Sequence, residues 1–166
     1  GPITRSTSDC AITLAAIAGY DKNDPFTRDA PVPDYLSHLT GDIRGLKIGV
    51  IDERIANDTV DPEIRDAITN AISVLENLGA IIANISVPMM VHSAIISSAI
   101  IASDAASLNT DNIATNLDVF DHNNQIRMLM GSILPGVAYQ KAIKLRALLR
   151  DQIIDTFKQV DLLLMP

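Results

Sequence analysis

Leu46-Lys47-Ile48-Gly49-Val50-Ile51, Asp61-Pro62-Glu63 and Ala80-Ile81-Ile82-Ala83-Asn84-Ile85-Ser86-Val87 are the stretches that decide the fold. The first is a short apolar run bounded by Gly45 and Asp52, which is the pattern of a buried strand. The second supplies a side-chain acceptor, a proline at the first helical position and an acid in the positive first turn, so it opens a helix. Ile64, Ala67, Ile68, Ala71, Ile72, Leu75 and Leu78 then recur at spacings of three and four. They form an apolar stripe about four turns long, stopped by Gly79. The third stretch is a second Ile-rich strand. Strand, helix and strand joined this closely make a βαβ unit with a right-handed crossover. Its strands should lie parallel, with helices over their faces.

On the carboxyl side, Met89–Leu108 reads as a helix and Asn109–Asn124, rich in Asn and Asp, as a loop. Gln125–Ile133 reads as a short helix interrupted near Pro135. Gly136–Phe157 is a long helix with Ala138, Ala142, Leu145, Leu149, Ile153 and Phe157 on one face. Lys141, Lys144, Arg146, Arg150 and Asp151 line its other face, which reads as solvated. Val160–Met165 is the third strand. On the amino side, Ser6 is placed to cap a helix with Asp9 at the reciprocal position, and Gly19 marks that helix's end. Residues 20–45 carry Pro25, Pro31 and Pro33 and read as a polar arm with one helical turn near Tyr35–His38. The expected architecture is a single α/β domain over residues 1–166, a partial mixed or parallel sheet covered by helices.

The composition agrees with a packed core and narrows the function. The chain has 166 residues, 48% hydrophobic and 20% charged, which excludes a disordered or collagen-like polymer. Aromatic residues make up 4% and Trp is absent, so the core is aliphatic. The formal net charge of −7 argues against direct nucleic-acid binding, which needs a basic stripe, and against an anionic membrane surface. The most apolar stretch, Met89–Ala102, is interrupted by His92, Ser93, Ser97 and Ser98. It falls short of the roughly 20 apolar residues of a membrane span, so it reads as a buried helix. No signal peptide is expected from the opening residues. Cys10 is the one cysteine, so no internal disulfide forms, and a reducing, cytoplasmic compartment fits.

A direct search for chemistry yields little. The glycines are scattered and never adjacent, so no phosphate-cradling loop is present. No Cys/His cluster has zinc spacing, and no metal or cofactor is expected. His38, His92 and His122 are far apart in sequence, and none lies in a nucleophile motif. Ser97-Ser98 reads as a pair that back-bonds to the preceding helical turn, and His92 as a helix-end histidine.

Three ordered segments resemble the amidase signature family. They are Gly1-Pro2-Ile3-Thr4-Arg5-Ser6 with the following helix and Asp24-Pro25; Leu46–Val50 with Asp61-Pro62 and Leu78-Gly79-Ala80; and Tyr139-Gln140-Lys141-Ala142 with Arg146, leading to Val160–Pro166. The resemblance implies hydrolysis of a small carboxamide through a serine acyl-enzyme, or service as the amidase component of a glutamyl-tRNA amidotransferase. That chemistry uses a lysine, a cis-peptide serine and a nucleophilic serine, with backbone N–H groups of a Gly/Ser-rich loop holding the oxyanion. No Gly-Gly-Ser-Ser occurs here, and Lys22, Lys47, Lys141, Lys144 and Lys158 sit in no matching context. The expectation is a scaffold part that follows the catalytic core and is inactive alone, so no catalytic residue is assigned. One binding residue is carried over: Arg127, four residues before Gly131, matches an arginine that holds a substrate carboxylate in some amidotransferase-type members. The competing reading of Arg127 is a surface or helix-capping arginine. Separated from its sheet neighbours, such a piece is expected to self-associate. The alternative reading is a non-catalytic small-ligand-binding or protein-interaction α/β domain.

Overall fold

The computed structural model describes residues 1–55 and 60–166, which divide into units 1–42 and 43–166. In the first unit, helix α1 spans Thr7–Ile17, and the Ser6 hydroxyl accepts the Asp9 N–H at 3.1 Å as the capping pattern requires. The arm after it is held by short polar turns. Asp21 and Asp24 accept from the N–H groups of Asn23 and Phe26, each at 2.9 Å, and a hydrogen-bonded turn covers residues 35–38.

The second unit is built on strand β1, Lys47–Ile51. Strand β2, Ile81–Ile85, and strand β3, Leu162–Leu164, flank it in the order β2-β1-β3, both parallel to β1. The three strands inferred from the sequence are therefore neighbours in one sheet. Gly49 pairs across with Ala83 on one side and Leu163 on the other. The start of β3 is clamped twice to β1: the Lys47 N–H donates to the Asp161 carboxylate at 2.9 Å, and the Asp161 N–H donates to the Lys47 carbonyl at 2.8 Å.

Helix α2, Asp52–Ile55, follows β1 directly, and helix α3 spans Pro62–Asn77. Asp61 caps α3 by accepting the Glu63 N–H at 2.8 Å. Gly79 ends it with φ +92°, a backbone that costs glycine little, and its carbonyl accepts the Gly45 N–H at 2.8 Å. None of α3's residues is fully buried, although Ile68, Ala71, Ile72 and Leu75 are half-buried.

A 3-10 turn over Pro88–His92 leads into helix α4, Ser93–Leu108. The segment Pro88–Leu108 is long and apolar enough to cross a membrane by length and composition alone, longer than the run read from the sequence. The expectation of a buried helix is corrected here. Ile96, Ile100 and Ala106 are buried, whereas Ile95, Ile101 and Leu108 are more than half exposed. An all-round apolar sequence says nothing about which face packs. The expected loop 109–124 is also corrected, since helix α5 occupies Thr110–Thr115. The hydroxyls of Thr110 and Thr115 donate back to carbonyls one turn earlier, so polar residues here support helical turns. Helix α6 covers His122–Ile133, starting earlier than Gln125 because Asp121 accepts the N–H groups of Asn123 and Asn124.

Helix α7, Gly136–Thr156, closes the fold. Two apolar clusters lie along it. Ile51, Val87 and Met90 pack with Leu149 and Ile153 beneath the sheet, while Ile96 and Ile100 of α4 pack with Ala142. Fully burying a side chain such as Ile51 contributes about 1.5–3 kcal/mol. Phe157 is 49% exposed, and Thr156 is the buried residue in the last turn, its hydroxyl donating to the Gln152 carbonyl at 2.9 Å. Polar ties add register: the Tyr139 hydroxyl donates to Asp104 at 3.1 Å, and the Gln152 side chain accepts the Met89 N–H at 3.1 Å. That hydrogen bond and the Asp104 charge raise the Tyr139 pKa.

Candidate functional site

Helices α4 and α6 pack through small residues. Gly131 is buried against the backbone of Ala102 and the methyl of Ala106. Such close approach brings the flanking side chains of both helices together as the walls of one groove. Its volume is about 690 Å³. Ile95, Ser98 and Ile101 line it from α4, and Ile126, Arg127 and Met130 line it from α6. Three turns of α6 thus position Arg127: Asp121 starts the helix, Met128 turns inward, and Arg127 is left beside the groove.

The chemistry of this groove follows from its lining. Most of its wall is aliphatic, and Arg127 is its cation. Arg127 is exposed and, among the described residues, has neither a hydrogen-bond nor an ion-pair partner, and it caps no helix. A guanidinium offers a planar fork of donors that matches a carboxylate with two parallel hydrogen bonds. Ser98 also lines the groove, but among the described residues no histidine, lysine or carboxylate lines it to activate that hydroxyl. The groove can bind an anion with an apolar body; it holds no nucleophile–base pair.

Other candidates are dispersed. The Ser97 hydroxyl donates to the Ala94 carbonyl at 3.1 Å, the back-bonding read from the sequence. His92 lies exposed at the junction into α4, and His122 opens α6. His38 meets the Ser37 hydroxyl at 3.4 Å in an exposed turn, where that hydroxyl also donates to the Asp34 carbonyl. Lys22, Lys47, Lys141, Lys144 and Lys158 are all exposed, so none is a buried lysine of the kind a neutral base requires. Lys158 is paired with Asp155 at 2.6 Å, which raises its pKa. Among the described residues no three His, Cys, Asp or Glu side chains gather as metal ligands.

The sequence reading named Arg127 through the family resemblance and missed the wall opposite it. The small residues Ala102, Ala106 and Gly131 were the available signal, because their spacing on two helices permits backbone contact.

Known proteins resemble this chain in sequence and in fold. The A-type subunit of the glutamyl-tRNA(Gln) amidotransferase of Pseudomonas fluorescens is 36% identical over 191 residues, covering 100% of this chain and 39% of that relative. An amidase from Pseudomonas putida is 30% identical over 166 residues, covering 100% of this chain and 35% of that relative. This chain thus spans under two-fifths of the length of the relatives it matches. Among solved structures, a bacterial aryl acylamidase of the amidase signature family superposes with TM-score 0.81 at 23% identity, over 100% of this chain and 36% of its own; at that identity it shows the fold. The corresponding glutamyl-tRNA(Gln) amidotransferase subunit from Thermotoga maritima superposes with TM-score 0.75 at 26% identity, over 96% of this chain and 35% of its own. The Amidase family model matches residues 1–166 from end to end, and the chain belongs to the amidase family.

Proposed function

We propose that this chain is the substrate-pocket scaffold of a cytoplasmic enzyme that hydrolyses the C–N bond of a small carboxamide through a serine acyl-enzyme. In this reading the reacting serines and lysine lie in a segment preceding Gly1, and the 166 residues alone are inactive. The carrying observation is Arg127, unpaired among the described residues, beside an aliphatic groove in a chain whose whole length matches the family. Arg127 holds a carboxylate on the substrate, and the groove takes its apolar part.

Service in an amidotransferase is the second reading, favoured by the 36% identity to the P. fluorescens amidotransferase subunit against 30% to the P. putida amidase.

The test uses the intact protein and a series of aliphatic amides with and without a terminal carboxylate. Arg127→Ala is expected to raise KM for the carboxylate-bearing amides about tenfold or more, with neutral amides little affected. A fluorophosphonate should label a serine outside residues 1–166. Labelling of a serine within them would overturn the placement of the nucleophile. Failure to release ammonia from any carboxamide would favour the non-catalytic binding-domain reading. Expressed alone, the 166 residues are expected to self-associate through exposed apolar side chains such as Ile64, Val74 and Ile133, and sedimentation as a clean monomer would count against this.

A further inference from the structure

A second cavity, of about 450 Å³, opens on another face of α4, between α2, the first turns of α4 and the middle of α7. Arg54 and Arg146 both line it, with Ser93 beside them and Ile96, Ile100 and Leu149 forming apolar wall. The Arg54 Nε is fully enclosed and, among the described residues, has no hydrogen-bond partner. An enclosed donor without an acceptor is costly, and native structures rarely leave one unfilled. Arg146 is exposed and, among the described residues, is paired with no carboxylate.

Among the described residues, neither arginine forms an ion pair with an acid. Glu53 accepts from Ser86 and Val87, Asp104 from Tyr139, Asp151 from Arg150, and Asp155 from Lys158. In a chain of net charge −7, two arginines that line one cavity and, among the described residues, pair with no carboxylate are not a by-product of surplus positive charge. Position adds a second argument. Arg54 follows the end of β1, and α4 follows β2, so the cavity lies off the carboxyl edge of parallel strands. Open α/β sheets bind their ligands at that edge, beside a strand with neighbours on both sides.

We propose that this cavity binds a small organic oxyanion, with its charged head between Arg54 and Arg146 and a short apolar body along Ile96, Ile100 and Leu149. A phosphate or a carboxylate head satisfies the same two forks. The site is separate from the Arg127 groove and does not depend on the reading given to it.

The experiment is calorimetric titration of the intact protein with hexyl phosphate, hexanoate and inorganic phosphate. At least one hexyl compound is expected to saturate a site whose binding survives Arg127→Ala, and to bind there more tightly than inorganic phosphate; which one binds identifies the head group. Arg54→Gln and Arg146→Gln should each weaken that binding about tenfold or more. Lys144→Gln, on the exposed face of α7, and Arg127→Ala should leave it unchanged. Absence of saturable binding by both hexyl compounds would overturn the proposal, as would unchanged binding in both arginine variants. Loss of binding in Arg127→Ala would assign the probe to the other groove and overturn it equally. Should Arg54→Gln fail to fold, the exposed Arg146→Gln decides alone.

Discussion

Gly49 in the sheet and Gly131 in the α4–α6 pair both sit where no side chain fits, yet for different reasons. A Cβ on Gly49 would lie 2.8 Å from Ile85 Cγ1, 3.0 Å from Leu163 Cδ2 and 3.1 Å from Val160 Cγ2, all atoms of side chains. On Gly131 it would lie 1.9 Å from the Ala102 carbonyl oxygen and 2.5 Å from its carbon. Side chains can change rotamer at modest cost, whereas a helical carbonyl can move only with its helix. The layer beneath the sheet is therefore the adjustable contact and the helix pair the rigid one. The groove beside Arg127 is walled by that rigid pair, so its width is set by backbone contact.

Gly131→Ala is the strongest way to break this comparison. It should cost about 3 kcal/mol or more, at or above the upper end for overpacked cores, read as a fall in the urea unfolding midpoint of the intact protein. Gly136→Ala is the matched control. Nothing lies within 4 Å of its added carbon, so a change within about 1 kcal/mol is expected. Gly49→Ala should fall between them, at about 1–3 kcal/mol, and its cost should shrink in an Ile85→Ala background, which removes the nearest of the crowding atoms. Equal damage from the alanines at Gly49 and Gly131 would show that the sheet layer is as unyielding as the helix seam.

The same contrast explains what could be read in advance. Along β1-α3-β2 each local signal has one physical meaning: Asp61-Pro62 starts a helix, Gly79 stops it, and the runs on either side are too short and apolar for anything but strands. Helix α4 carries apolar residues all round, so its length was legible but not the face that packs, which Gly131 on another helix selects. The Asn- and Asp-rich residues before α6 carry two opposed meanings, loop and cap, and Asp121 resolves them only by meeting Asn123 and Asn124. Arg127 is singled out by the family resemblance alone. That it stands beside an aliphatic wall belongs to tertiary packing, and so does the convergence of Arg54 and Arg146 from helices far apart in sequence.

Glu53→Gln sharpens the comparison with the smallest expected effect. The carboxylate ties α2 to the chain leaving β2, accepting the Ser86 hydroxyl at 2.5 Å and the Val87 N–H at 2.9 Å. Burial pushes its pKa up, but the hydrogen bonds from Ser86, Val87 and its own backbone together outweigh that and hold it below the ordinary 4.5. Unfolding releases these donors, so the unfolded chain binds the proton more readily than the folded one. The stabilisation is then fully present above the ordinary glutamate range and is lost as pH falls through the lower folded value. Glutamine keeps an acceptor oxygen for one donor but not the charge. The variant should therefore unfold at a lower temperature than the parent at about pH 7, with the gap closing as pH falls through the lowered folded value. A gap that stayed constant across that fall would mean that the clasp acts through shape alone, and that the adjustable side of the molecule owes its register to packing.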